Sequence, residues 1–327
     1  MIRFGWAGYR EVTMRGNALG YQGASAALFR ELSHLDDVDL DDDASVLVHF
    51  CNPVVYAPRP GRRNVLFTMT ETAILPDYFG PALRDADAVL APSRWVRDVF
   101  RPVVPASTPL EVVPLGFHPH DHPTRLRTWT PGERFRFLWT GAPNARKGWD
   151  HTALAWQAGG FHELDWCELT LKTTDENGDE GRVETRGNVT FDSRYLPRDE
   201  LRDLFDSAHC LVAPSIGEGF GLMMLEGLAS GLPVITTKHS AQVEFLGRWA
   251  TYCDHEMRDT VASDGTPFRG AYPVTQDLAR KMAQVIKRYE AKAKRAWRGG
   301  QEMHRDWTWR HSARRLAEAI AALEFGS

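Results

Sequence analysis

The sequence predicts an α/β protein of two Rossmann-like units of parallel sheet that face each other across a cleft. Three observations lead there. Short β-rich runs alternate with segments of helical periodicity, as strands joined by crossover helices do. The alternation occurs twice. The two halves are separated by HPHDHPTRLRTWTPGE (118–133), which holds four prolines or glycines and little periodicity.

The elements follow in order. MIRFGWAG (1–8) opens as a strand. After a glycine-containing loop, Tyr21, Ala24, Ala27, Leu28, Leu32 and Leu35 recur at helical spacing. SVLVHF (45–50) and NVLFTM (64–69) are apolar enough to be buried strands. ADAVLAPS (86–93) is another, followed by a helix in RWVRDVFRP that Pro102 ends. LEVVPLG (110–116) closes the first half. In the second half RFRFLWTG (134–141), CELTLKT (167–173), NVTF (188–191), HCLVAPS (209–215) and LPVITT (232–237) read as strands. DELRDLFDSA (199–208) and a segment from about Gly221 to Ser230 read as helices. QDLARKMAQVIKRYEAKAKRAW and SARRLAEAIAALEF are terminal helices. The expected division is a first domain over 1–120, a second over 121–305 and a C-terminal helix over 306–327. Ligands of such sheets sit at the carboxyl ends of the strands. That places the loops after Gly141, Ser215 and Thr237 on one rim.

Composition narrows the class. The chain has 327 residues, 43% hydrophobic and 25% charged, with a net charge of −4. Nothing global draws it to nucleic acid or an anionic membrane. Cys51, Cys167, Cys210 and Cys253 are scattered without a CxxC pair, which fits a reducing compartment. The N-terminus lacks the apolar core of a signal peptide, and no run approaches the roughly 20 apolar residues of a membrane span. The expectation is a cytoplasmic protein without integral membrane association. The acidic run DDVDLDDD (36–43) reads as a solvated loop. HPHDH (118–122) lacks the usual ligand spacing, so no metal site is expected.

The chemistry concentrates in PSIGEGFGLMMLEGLASGLP (214–233). A strand ends, Gly217 and Gly219 let the backbone turn and approach a ligand, and a helix begins near Gly221. A helix start presents free N–H groups and a positive dipole end, which suits phosphate. Glu218 precedes the helix, so its carboxylate is expected to face the ligand. Glu226 lies about one and a half turns in. Carboxylates accept hydrogen bonds from vicinal hydroxyls, so the pattern implies a nucleoside diphosphate with a sugar at each end.

This stretch resembles the E-x7-E signature of the retaining glycosyltransferases of family 4, which have the GT-B fold. GNALGYQGAS (16–25), VLAPSRWVRDVF (89–100), VVPLGF (112–117), FLWTGAPNARKGWD (137–150) and WTWRHSARRLAEAI are similar to further segments of that family, in the same order. The chain is short for the family and resembles its compact phage-type members. The resemblance implies a metal-independent transfer of a sugar from a nucleoside diphosphate donor, UDP- or GDP-linked, with no prosthetic group. It also implies a C-terminal helix that crosses back to the first domain. Glu226 would bind the ribose and Glu218 the transferred sugar. The backbone of Gly219, Phe220, Gly221 and Leu222 would line sugar and phosphates. Lys147, with Arg146, would hold the diphosphate, and Gly16, Gly20 and Tyr21 would face it from the first domain. Lys147, Glu218 and Glu71 are the catalytic candidates.

The acceptor side departs from the family pattern. His49 aligns with the first histidine of an H-x-H-x-P-like segment, and Cys51 stands where the reactive-site histidine is expected. His49, Asn52 and Glu71 are the acceptor-side candidates, and Glu71 could orient or deprotonate an acceptor hydroxyl. The acceptor could be a glycan, a small molecule or modified DNA. The basic loop PRPGRRN (58–64) and the phage-type resemblance keep hydroxymethylated DNA bases as an alternative. A nucleotide-sugar-binding protein without activity is the alternative of another class.

Overall fold

Runs such as VLVHF and the VLF of RNVLF are largely apolar and buried, which is what a strand covered on both faces requires. In the computed structural model, which describes residues 1–11, 19–173, 181–261 and 265–325, they lie at the centre of a parallel sheet. That sheet comprises β1 (Ile2–Trp6), β2 (Val38–Leu40), β3 (Val46–Phe50), β4 (Arg63–Phe67), β5 (Ala88–Ala91) and β6 (Leu110–Val112), in the order β2-β1-β3-β4-β5-β6. Phe50 stands opposite Phe67, so the segments after β3 and β4 leave the same edge side by side. Helices α1 (Leu19–Leu32), α2 (Phe79–Asp85) and α3 (Arg94–Phe100) cover the sheet.

The second sheet holds β7 (Phe135–Thr140), β8 (Cys167–Lys172), β9 (Val183–Arg186), β10 (Val189–Asp192), β11 (Cys210–Val212), β12 (Val234–Thr237) and β13 (Thr251–Cys253). Its order is β13-β12-β11-β7-β8-β10-β9. Among the described residues β9 is its one antiparallel strand. The hairpin of β14 (His255–Val261) and β15 (Pro267–Pro273) stands apart from it. Helices α4 (Trp149–Ala158), α5 (Arg198–Ser207), α6 (Leu222–Ala229), α7 (Val243–Leu246), α8 (Thr275–Lys287), α9 (Tyr289–Asp306) and α10 (Trp309–Phe325) complete the chain. No helix of the described residues is long and apolar enough to cross a membrane.

Three expectations need correction. The acidic run is not all loop: Val38–Leu40 forms edge strand β2 on β1. Its half-buried Val38 and Leu40 pack on the core, while Asp39 points to solvent. The first terminal helix is two, broken at Arg288 (φ −120°, ψ 32°). The break lets Leu278, Met282 and Val285 pack on one core cluster and Ala296 and Met303 on another. The hairpin β14–β15 was not foreseen, because HEMRDTV and PFRGAYP carry too many polar, glycine and proline positions to read as strands.

The C-terminal helix returns as expected. Phe117 pairs with Thr308: the Trp309 amide donates to the Phe117 carbonyl at 3.1 Å, and the Phe117 amide donates to Trp307 at 3.2 Å. Beyond that point Trp309, Leu316 and Ile320 are buried with Phe4 and Leu28 of the first domain. The crossing needs a residue without a side chain at 116. A Cβ there would lie 2.4 Å from the backbone of Thr308 and Trp309. Gly116→Ala should therefore destabilise the protein by about 1–3 kcal/mol through forced backbone movement. Thermal unfolding checks this, and an unchanged melting temperature would contradict so tight a crossing.

Candidate functional site

β7 and β11 are neighbours, with Phe137 opposite Cys210. The loops that follow them therefore leave the sheet together. The first becomes a turn over Ala145–Lys147, and the second becomes the glycine loop that leads into α6. The two are joined directly, since the Ile216 amide donates to the Arg146 carbonyl at 2.8 Å. Gly221, in the left-handed region at φ 101°, starts α6. Gly217 has another reason to be glycine: a Cβ would stand 2.1 Å from the Glu71 carbonyl oxygen of the first domain. The glycine loop is thus pressed against the end of β4.

Glu218 sits between these loops. Its side chain is only 5% exposed. Lys147 Nζ donates to both carboxylate oxygens, at 2.7 and 2.9 Å, Ser215 Oγ donates to Oε1 at 2.7 Å, and Arg146 Nη1 reaches Oε2 at 3.4 Å. Burial alone would raise this carboxyl, but Lys147 and then Arg146 reverse that and hold it below the ordinary glutamate range. Glu218 borders the cavity between the domains, and there its carboxylate rests on the cations, which offset the cost of burying it. Arg146 also faces Glu71 at 3.7 Å, so the first domain's candidate carboxylate meets the second domain's cation.

These groups line a cavity of about 630 Å³ between the domains. Gly20, Tyr21, Asn52 and Glu71 border it from the first domain; Arg146, Lys147 and Glu218 to Leu222 border it from the second. Gly16 lies outside the described residues. The Tyr21 hydroxyl takes the Met69 amide at 3.1 Å and meets Thr68 Oγ1 at 3.1 Å, so it braces the end of β4. Phe220 is buried against Phe245 and Trp307 and offers the cavity little beyond its backbone.

Glu226 lines an adjoining cavity of about 540 Å³, which shares Gly20, Arg198, Leu201 and Leu222 with the first. Burial, then the nearby Asp121, push its carboxyl up to about 7. His122 Nε2 is 3.8 Å away, but burial pushes that imidazole down to about 4, so the contact is not an ion pair near neutral pH. Among the described residues no three His, Cys, Asp or Glu side chains are grouped to hold a metal ion.

On the acceptor side His49 does not border the cavity. It is buried, its Nε2 lies 2.9 Å from Asn64 Oδ1, and its ring packs edge-on against Tyr56. Its strand position turns it into the domain, which corrects its reading as an acceptor-side group. Asn52 caps the short turn Pro53–Val55 by accepting from the Val54 amide. Burial pushes the Cys51 thiol up to about 11, so it stays neutral. Ser215, Lys172 and Tyr195 were not foreseen. Lys172, which ends β8, is buried with its ammonium on the carbonyls of Thr173 and Arg194. No motif distinguishes a lysine at a strand end from a solvated one.

A family model described as "Family 4 Glycosyltransferase in conflict systems" matches residues 82–316. The chain belongs to that family. Over 70 residues this chain is 39% identical to the O-antigen chain mannosyltransferase RfbU of Salmonella typhimurium, a match covering 21% of this chain and 20% of that enzyme. The match thus spans about a fifth of that relative's length. Two solved structures show the same GT-B fold. One is sucrose-phosphate synthase from Thermosynechococcus elongatus, with TM-score 0.70, 14% identity and 100% of both chains covered. The other is Anabaena Alr3699/HepE in complex with UDP and glucose, with TM-score 0.67, 13% identity, and 98% of this chain and 100% of that one covered.

The raised Glu226 carboxyl gives the protein a pH signature. Between an unfolded value near the ordinary 4.5 and a folded value of about 7, the unfolded chain gives up a proton that the native protein keeps. This contribution to stability is therefore present below 4.5 and lost as pH rises through 7. Glu226→Gln should lose less stability than wild type between pH 5 and about 7.5. Urea titrations at the two pH values check it, and identical changes for both proteins would contradict the shift.

Proposed function

We propose that this chain transfers a sugar from a nucleoside diphosphate donor to an acceptor hydroxyl, with retention at the anomeric carbon and without a divalent metal. The observation that carries the reading is the cluster of Lys147, Arg146 and Glu218 on the cavity between the domains. A leaving diphosphate gains negative charge in the transition state, and cations fixed in a water-poor cleft stabilise that charge most. The anomeric carbon–phosphate oxygen bond breaks, and a bond from that carbon to the acceptor oxygen forms on the same face. The acceptor proton passes to the departing phosphate oxygen. Lys147 and Arg146 hold the diphosphate, Glu218 the sugar hydroxyls and Glu226 the ribose. The backbone from Gly219 to Leu222 lines the sugar and phosphates, and Gly20 and Tyr21 border them from the first domain.

The donor is proposed to be a UDP- or GDP-sugar; the related fold solved with UDP and glucose supports the UDP form, and the mannosyltransferase relative supports sugar transfer. The domain limits proposed are 1–120, 121–305 and 306–327. A cytoplasmic setting is supported by four free cysteines. Asn52 and Glu71 stand where an acceptor would enter, and Glu71 would orient its hydroxyl. DNA as acceptor loses part of its support, because two of the three arginines of the basic loop are engaged within the protein while Arg59 is exposed. Arg62 holds the Asp42 carbonyl and Asp43, and Arg63 holds the Leu323 carbonyl of α10.

Purified protein incubated with UDP-, GDP- and ADP-sugars should release the nucleoside diphosphate by hydrolysis or transfer. Lys147→Ala should lower kcat on the order of 10²- to 10³-fold. Glu226→Ala should mainly weaken nucleotide binding, about tenfold. Wild-type turnover in Lys147→Ala would overturn the reading.

A further inference from the structure

Beyond the groups that border the cavity, a closed circuit of hydrogen bonds runs from the donor loop into the first domain and back. The Glu218 amide donates to Ser240 Oγ at 2.9 Å, and the Ala241 amide donates to the Glu218 carbonyl at 3.3 Å. Ser240 is the one non-glycine with positive φ among the described residues, at 60°. Its hydroxyl is fixed by donation to Gln242 Oε1 at 2.7 Å. A strained residue held this way marks a backbone path that its surroundings dictate. The Glu244 amide donates to the Ala241 carbonyl at 3.0 Å, which carries the circuit into α7.

Glu244 then leaves its own domain. Its Oε1 accepts from the Trp95 amide at 2.8 Å and its Oε2 from the Arg94 amide at 3.1 Å, so the carboxylate caps α3 of the first domain. Its side chain is 17% exposed, and a carboxylate on the amides of a helix start, partly shielded from water, is a strong contact. Ser93, the cap residue of α3, accepts from the Val96 amide at 3.1 Å and donates to the Gly219 carbonyl at 3.1 Å. Gly219 follows Glu218, so the circuit closes. Gly219 is thus bonded to the first domain directly, and Glu218 is linked to it through Ser240, Ala241 and α7.

Inter-domain contacts in a chain of two domains are free to open unless something fixes them. We propose that Ser93 and Glu244 are positioning residues that couple the approach of the two domains to the placement of Glu218 and Gly219. Neither touches the donor. They make the donor loop's geometry conditional on closure, so the site is complete only when the cleft is shut and water is excluded. The proposal rests on the transferase reading.

The test uses the full chain with Ser93→Ala, Glu244→Ala, the double variant and Glu244→Gln. Each alanine variant should lower kcat about tenfold and leave the dissociation constant for free UDP or GDP within about threefold, because the side chains proposed to hold ribose and diphosphate, Glu226, Lys147 and Arg146, all lie in the second domain. The double variant should be little worse than the poorer single, since both break one circuit. Glu244→Gln should recover part of the loss, because an amide oxygen still accepts one N–H. Amide exchange should quicken across 217–221 in Glu244→Ala, although the change lies in α7. That readout needs no turnover, so a wild-type protein without transfer activity would overturn the transferase reading while leaving the coupling testable. Unchanged kcat in the alanine variants, or faster exchange confined to α3, would overturn the coupling.

Discussion

A buried carboxylate is tolerable only when cations and donors surround it, and the ion pair of Lys147 with Glu218 is the interaction on which the rest of the site depends. Removing a carboxylate from water costs several kcal/mol, so Glu218 needs Lys147, Arg146 and Ser215 together. That requirement fixes the turn at 145–147 to the glycine loop at 216–221. It also explains why the cations are aimed into a cleft rather than spread into solvent, although burial pushes the Lys147 ammonium below its ordinary value against the pull of Glu218. On the proposed reading the same pair is an exchange partner. A diphosphate offers Lys147 and Arg146 more negative charge than Glu218 does, and the released carboxylate can then accept from sugar hydroxyls. On that reading the Lys147–Glu218 contact is one that the donor replaces.

The second constraint is the closeness of the two domains. Gly217 lets the donor loop meet the Glu71 carbonyl without a side chain between them. Arg146 reaches Glu71 across the same gap, and Thr72 Oγ1 accepts from the Arg269 amide of β15 at 2.9 Å. At the far side α10 packs into the first domain through Trp309, Leu316 and Ile320. The two domains are therefore joined by burial at α10 and by polar contacts at the donor loop. Apolar burial is non-directional and durable, whereas hydrogen bonds can be exchanged for water at small net cost.

Legibility in the sequence followed the physics of each feature. Parallel strands buried on both faces announce themselves as apolar runs, so the cores of both sheets could be read, β3, β4, β7 and β11 among them. Glycines beside Glu218 marked the donor loop because few other residues fit so close an approach. Edge elements were harder. Strand β2 hides in an acidic run because one neighbour and two half-buried side chains suffice to hold it. Side-chain direction was the main loss. His49 and Glu218 were placed on the right elements, but whether each turns to the cavity depends on partners far away in sequence, Asn64 for one and Lys147 for the other. The circuit through Ser240 and Glu244 has no motif, since serine and glutamate at helix starts are common. Only the fold shows that this glutamate caps the other domain's helix.

The claim that the donor's diphosphate takes over the cation that Glu218 holds is open to direct measurement. Nitrogen-15 NMR of the lysine ammonium groups, with the Lys147 signal assigned through Lys147→Arg, reports its partner. The account predicts that UDP or GDP moves this signal while the corresponding nucleoside leaves it in place. Calorimetric binding of the diphosphate with an unmoved Lys147 signal would contradict it.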